Sequence, residues 1–250
     1  MRMIGKTGIV TGGSTGMGQA GALRLAQEGA AVALVARGAD ALNETVARIV
    51  AAGGRAIGLC GDLQDEAFAR RIVHDTVAAF GGLDFVWNNA GDPGPSLFEG
   101  LDLADFDAAM NINLRSAMAT TSEAIPLLCQ RPGGNVLFTA SVSGLRGSIN
   151  SPVYAAAKFG LVGLARSLAL RYGKEGLRFN VLCPGMIDTP MLRVFVKRTD
   201  EVAKRSRDPE ELIVNAARRN ALARIGRPEE VANAALFLLS DEASFVTGTA

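Results

Sequence analysis

Tyr154 and Lys158 stand four residues apart in a stretch of helical periodicity, so they share one helix face and bring an ammonium near a phenol. A free tyrosine ionises at about pH 10, and a neighbouring positive charge favours the phenolate, moving that value toward working pH. A phenol tuned in this way suits proton transfer at a carbonyl or alcohol oxygen. Ser141, just past an apolar run, is placed to hold that oxygen by a hydrogen bond, and Asn113, in a long preceding helical stretch, to support a water leading to Lys158. Taken singly, each has a plainer explanation. A Tyr-x-x-x-Lys pair occurs as surface packing, a serine after a strand as a turn residue, and a lone asparagine proves little. The one histidine, His74, lies in a helical stretch, which argues against a Ser-His-Asp triad or a multi-histidine metal site.

A second group of residues suits a phosphate. Thr11-Gly12-Gly13-Ser14-Thr15-Gly16-Met17-Gly18 follows an apolar run and opens a helical one. Glycines lacking Cβ let the backbone approach a pyrophosphate, and the free N–H groups of a helix start attract its charge. The same turn is also compatible with a purely architectural role. Ala36-Arg37 ends the next run, where dinucleotide folds that choose NAD place an acid for the ribose hydroxyl. Here an arginine stands instead, and a guanidinium fork pairs well with a 2′-phosphate, although a solvated loop arginine is the alternative. Asp62, in Gly61-Asp62-Leu63, suits either an adenine amino group or a helix N-cap. Asn88-Asn89-Ala90-Gly91 is small and amide-rich, suited to backbone contact with a flat cofactor or to a simple turn. Pro184-Gly185-Met186-Ile187-Asp188-Thr189 makes a rigid turn whose backbone and threonine hydroxyl suit a carboxamide ring.

These residues need a scaffold, and the hydrophobic pattern supplies one. Apolar runs at Gly8–Thr11, Ala31–Ala36, Arg55–Leu59, Leu83–Trp87, Asn135–Ala140 and Leu177–Cys183 are predicted strands. Helices are predicted near Gly16–Glu28, Ala41–Ala52, Gln64–Phe80, Leu103–Cys129, Pro152–Tyr172 and Pro228–Ser240, and the start of one more strand at Phe245–Thr249. This alternation predicts an α/β fold, a doubly wound Rossmann-type parallel sheet with helices on both faces, as a single domain over residues 1–250. Ligands of such sheets bind beyond the carboxyl ends of the strands, where the residues above fall. Residues 191–220 break the rhythm and are expected to form a lid over the substrate pocket, with apolar Met191, Leu192, Val194 and Phe195 facing it. Ser143–Asn150 and Asp92–Ser96 are expected to line the same pocket.

Composition narrows the function classes. With 20% charged residues and a net charge of +1, the chain offers no electrostatic footprint for nucleic acid or an anionic membrane. The N-terminus lacks the apolar stretch of a signal peptide and no apolar run approaches membrane-spanning length, so a cytoplasmic protein is expected. Cys60, Cys129 and Cys183 are three, far apart, and are expected to be small core residues.

In combination, Thr11-Gly-x-x-x-Gly-x-Gly18, Asn88-Asn-Ala-Gly91, Ser141, Tyr154-x-x-x-Lys158 and Pro184-Gly-x-Ile-x-Thr189 resemble the short-chain dehydrogenase/reductase family, from Lys6 to Ala250. The resemblance implies an NAD(P)(H)-dependent oxidoreductase that moves a hydride between nicotinamide and a carbonyl or secondary alcohol of a small molecule. It implies Tyr154 as acid/base, Lys158 on the nicotinamide ribose and lowering the tyrosine pKa, Ser141 orienting the substrate and Asn113 in a proton relay. It places Gly12, Ser14, Thr15, Gly16, Met17 and Gly18 at the cofactor phosphates and Asp62 and Leu63 at the adenine. Asn89, Ala90 and Gly91 fall along the cofactor, and Pro184, Gly185, Ile187 and Thr189 at the nicotinamide amide. Arg37 without an acid at Ala36 implies NADP(H) favoured, with NAD(H) still accepted, since Thr15 stands where many NADP(H)-preferring members carry a second basic residue. The long helices from Leu103 and Pro152 resemble those of a four-helix dimer contact, which implies a homotetramer. The chain stops at Ala250, where members usually continue through a strand and a glycine-rich turn that bear on subunit contacts. The alternative function is a non-catalytic dinucleotide-binding sensor or assembly subunit of the same fold.

Overall fold

The computed structural model describes residues 1–202 and 207–250. Six short apolar segments form one parallel sheet: β1 (Thr7–Thr11), β2 (Ala31–Ala36), β3 (Arg55–Cys60), β4 (Phe85–Asn88), β5 (Asn135–Thr139) and β6 (Arg178–Leu182), in the order β3-β2-β1-β4-β5-β6. The central strands are buried along their whole length, as expected where helices cover both faces. β1 pairs with β2 on one side and β4 on the other, so Val10 lies beside both Leu34 and Trp87. Strand order reverses between these neighbours, and the crevice at their carboxyl ends is where such sheets bind ligands.

One face of the sheet carries α1 (Gly16–Gln27), α2 (Ala39–Ala51) and α9 (Pro228–Leu239), whose Leu25, Leu42, Ile49 and Leu236 pack with Phe85 and Trp87. The other carries α3 (Glu66–Phe80), α5 (Ser116–Leu128) and α6 (Pro152–Tyr172), packing Phe68, Ile72 and Leu161 with Phe138 and Phe179. Fully buried rings such as Trp87 and Phe138 each stabilise by roughly 1.5–3 kcal/mol. Gly21 is the contact that lets α1 lie this close: a Cβ there would sit 1.9 Å from the Trp87 ring.

Several elements depart from the sequence pattern. The long helix expected over Leu103–Cys129 is α4 (Leu103–Met110), a π-helical turn at Asn111–Arg115, and then α5. Residues beyond Met191 form α7 (Pro190–Val202) and α8 (Pro209–Ala217), and the part of the expected lid at 203–206 lies outside the described residues. Phe245–Thr249 is not a strand. It runs beside β6 with Gly248 N–H donating to Phe179 O at 2.7 Å and Val181 N–H to Thr249 O at 2.9 Å, but Asn180 and Arg178 side chains occupy the Val246 carbonyl. The cysteines are not core residues: Cys60 ends the edge strand and Cys129 caps α5, both exposed, and Cys183 is half-buried. One helical span, Pro152–Glu175, does reach membrane-spanning length, with a mean hydropathy of 1.3. Half of it is buried inside the fold and packs on β6, which accounts for its apolar character without a membrane.

Candidate active site

The turn from β1 into α1 is a cradle of backbone. Gly12 (φ +67°) and Gly16 (φ +55°) adopt the left-handed conformation that glycine tolerates. A Cβ on Gly18 would lie 2.1 Å from the Gly12 carbonyl oxygen, and one on Gly16 3.0 Å from Thr189 Cγ2. The first turn of α1 has Thr15 at its N-cap without a side-chain cap and contains no acid. Its N–H donors and positive dipole end therefore face the crevice unopposed, which fits the diphosphate of a dinucleotide. Ser14 contributes its carbonyl to Gln19 Nε2 at 3.2 Å, which ties the turn to the helix it opens.

At the outer edge of this crevice Arg37 is exposed, has no ion pair among the described residues, and lines a cavity of about 330 Å³ with Gln64, Asp92 and Pro95. Asp62 is exposed and its carboxylate accepts from Gln64 N–H at 3.0 Å, while Asp65, not Asp62, caps α3. Leu63 turns its side chain into the core. Asn89 braces three strand ends: its N–H donates to Thr11 Oγ1 at 2.9 Å, its Nδ2 to Thr11 O at 3.1 Å, and its Oδ1 accepts from Thr139 Oγ1 at 3.1 Å. Ala90 N–H also donates to Thr11 Oγ1, at 3.0 Å. Gly91 is needed for space, since a Cβ there would meet Asn113 Oδ1 at 2.8 Å and Lys158 Nζ at 3.4 Å.

Those last contacts bring the four candidate catalytic residues together. Asn113 sits in the π-helical turn, 1% exposed, where its Nδ2 donates to Asp92 O at 2.8 Å and Ala109 O at 2.9 Å and its Oδ1 accepts from Asp92 N–H at 3.2 Å. Single π turns inside α-helices are frequent at functional sites because they redirect the backbone. Ser141 caps a 3₁₀ turn, its hydroxyl accepting from Ser143 N–H at 3.1 Å, and engages the Tyr154 phenol. One turn along α6, buried Lys158 donates to Thr139 O at 2.9 Å, with its ammonium 5.3 Å from the Tyr154 ring centre.

Burial decides both protonation equilibria. It pushes the Tyr154 phenol up to about 12, against the Ser141 hydrogen bond and the positive charge of Arg198, which pull the other way. It pulls Lys158 down to about 8, opposed by Cys183. Desolvation outweighs the neighbouring interactions at Tyr154, so the net shift is upward.

Ser141 and Tyr154 open into a cavity of about 490 Å³, lined also by Met17, Pro184, Gly185, Ile187 and Thr189. Met191, Leu192 and Phe195 of α7 cover it, whereas Val194 faces solvent at 48% exposure. Ser143 and Ser148 line it as expected, but Asp92, Gly94 and Pro95 line the Arg37 cavity instead. Sequence reasoning missed Arg198. This guanidinium on α7 is 4% exposed and donates to Gly94 O, Asn150 O and Ser151 Oγ. It lies 4.8 Å from the Phe195 ring centre, and Phe195 meets Tyr154 edge-on at 5.1 Å. The signal available was the three-residue spacing that puts Arg198 on the Phe195 face. Thr139, which braces Asn89 together with Thr11, carried no sequence signal of its own.

A doubly wound parallel sheet with an uncapped, glycine-lined helix start at its strand-order reversal defines a dinucleotide-binding α/β protein. Over residues 12–250 the chain matches the family described as enoyl-(acyl carrier protein) reductase. It is 37% identical to levodione reductase of Leifsonia aquatica over 251 residues, covering 99% of this chain and 92% of that protein. A crystal structure of levodione reductase superposes with a TM-score of 0.93 at 36% identity, covering 99% of this chain and 95% of that one. A short chain dehydrogenase from Burkholderia cenocepacia J2315 in complex with NADP gives a TM-score of 0.88 at 34% identity, covering 100% of this chain and 96% of that one. The chain belongs to the short-chain dehydrogenase/reductase family, and its relatives are oxidoreductases.

Proposed function

We propose that this chain reduces a carbonyl, or oxidises the corresponding secondary alcohol, of a small molecule, with Tyr154 as general acid/base. The observation that carries the reading is the convergence of Ser141 and Tyr154 on one cavity, with Lys158 buried one helical turn away and Asn113 packed against Gly91 beside it. When bound, the nicotinamide supplies or takes the hydride. Ser141 holds the substrate oxygen, and a phenol standing at about 12 is protonated at neutral pH, ready to give its proton to that oxygen as it becomes the alcohol. The Lys158 ammonium then stabilises the phenolate left behind. Gly12 to Gly18 hold the diphosphate, Leu63 offers its backbone to the adenine, and Thr189 holds the carboxamide.

NADP(H) is favoured over NAD(H), supported by Arg37, which has no ion pair among the described residues, and by the missing acid at Ala36. The NADP complex of a structural neighbour supports a nicotinamide dinucleotide as the cofactor class. We further propose that α7 and α8 form a lid over the cavity, that the protein is cytoplasmic, and that it assembles as a homotetramer. The test is Tyr154→Phe, assayed with NADPH and NADH in parallel on cyclic ketones of the levodione kind. Turnover falls by about 10²–10⁴, the size of general acid–base catalysis, while circular dichroism and cofactor fluorescence on binding stay as in the parent. Undiminished turnover in this variant removes Tyr154 from the mechanism.

A further inference from the structure

The cavity that holds Ser141 and Tyr154 is also lined by Arg146, in the turn after β5, and Arg219, just after α8, together with Ser148 and Asn220. Among the described residues no carboxylate lines it. Neither guanidinium has an ion pair or side-chain hydrogen bond among the described residues. Their neighbours do: Arg193 on α7 is held by Asp188 at 2.6 Å and Glu210 at 2.9 Å, and Arg224 by Glu230 at 2.6 Å. Apart from the hydroxyls of Ser143 and Thr189, the rest of the lining is apolar, with Met17, Val142, Met186 and Leu192 among it. Arg219 also lines a second cavity of about 350 Å³ that shares Met186, Leu192, Phe195 and Ala216 with the first, so it stands where the two adjoin.

Two cations without an ion pair among the described residues, in a cavity that none of the described carboxylates lines, concentrate anions there, and a guanidinium fork matches carboxylate, sulfonate or phosphate oxygens in pairs. We infer that the substrate is an anionic carbonyl or hydroxy compound: an apolar body whose charged group is received by Arg219 and Arg146 while its reacting carbon meets Ser141 and Tyr154. This rests on the cavity being the site of hydride transfer proposed above.

The test pairs 4-oxocyclohexanecarboxylate with 4-oxocyclohexanecarboxamide, alike in shape and different in charge, in NADPH- and NADH-linked assays of the full chain. The acid is favoured over the amide in kcat/KM by about tenfold or more, the size of one charge-assisted hydrogen bond, and the ratio falls as salt is raised. Arg219→Gln and Arg146→Gln each lower the ratio, Arg219→Lys keeps part of it, and Arg219→Glu inverts it. A ratio near one, or one that both glutamine variants leave in place, overturns the inference. So does weakened dinucleotide binding in those variants at an unchanged ratio, because the arginines would then serve the cofactor phosphates. Calorimetry with unreactive cyclohexanecarboxylate and cyclohexanecarboxamide reads the same selectivity without turnover. Tighter binding of the carboxylate, lost in Arg219→Gln, supports the inference even if neither ketone is consumed, an outcome that counts against the catalytic reading alone. Equal binding overturns it.

Discussion

Tyr154 is a buried phenol first and a charge-tuned one second. Its 7% exposure raises the cost of the phenolate, and the Ser141 hydrogen bond and Arg198 charge recover only part of that cost. The phenol therefore stays protonated through the physiological range, which suits the reductive direction. In a Tyr172→Phe background Tyr154 is the one remaining tyrosine. Its ultraviolet titration shows the phenolate emerging toward about 12, above the value of about 10 for a free tyrosine. A midpoint at or below that of a free tyrosine contradicts the burial argument. The sign for stability follows from the same shifts. A folded-state value raised for Tyr154 contributes stability that is full below about pH 10 and lost toward about 12. Lys158, depressed to about 8, costs stability below that pH, and the cost fades as pH rises toward its unfolded value of about 10.4. The identity and spacing of Ser141, Tyr154 and Lys158 were legible in the sequence because a helix turn fixes which side chains meet. The direction of the tyrosine shift was not, because burial is set by α7 and by strands far along the chain.

Elements explain where that legibility ends. The alternation of short apolar runs with longer amphipathic ones was enough for all six strands and for the sheet's parallel order, since parallel strands need helical crossovers between them. The same periodicity ran straight through Asn111–Arg115, because a π turn adds one residue without changing the residue types that build a helix. Phe245–Thr249 had the apolar character of a strand but meets the side chains of Arg178 and Asn180 at the sheet edge. On α7 the periodic apolar face pointed to the cavity, while nothing in the sequence marked Arg198, the arginine that fastens the helix there. Arg198 bridges α7 to the Gly94 loop and to the residues just before α6, and so fastens the cover of the cavity to two neighbouring segments. Arg198→Met keeps much of the volume and removes these donors, each such charged hydrogen bond being worth about 1.5–3 kcal/mol. KM then rises about tenfold or more with a smaller change in kcat, and Arg198→Lys recovers part of the loss. A KM equal to that of the parent shows that α7 holds its place without this contact.

For the whole molecule, α6 carries the proposed catalytic pair on one side and the proposed subunit contact on the other. Its inward face, with Val153, Ala157, Leu161 and Ala165, is buried against the sheet, and that packing fixes the positions of Tyr154 and Lys158. Its outward side exposes Phe159 at 46% and Leu170 at 88%, and α5 beside it exposes Met118 at 46%. Apolar side chains on adjoining long helices are what a helix-to-helix contact between subunits would cover. The proposed homotetramer thus gives α6 a second packed side, and removing it leaves a helix with the proposed catalytic residues on one face and water on the other. Light scattering on the eluting protein reads the mass of four chains if this is right. Phe159→Glu combined with Met118→Glu places like charges at the contact and shifts the population to smaller species. Those species melt at lower temperature, and they lose turnover in proportion to the loosening of α6 rather than to any change at Ser141 or Tyr154. A parent protein that elutes as a monomer and matches the double variant in melting temperature overturns the assembly, leaving the apolar flank of α6 as plain surface.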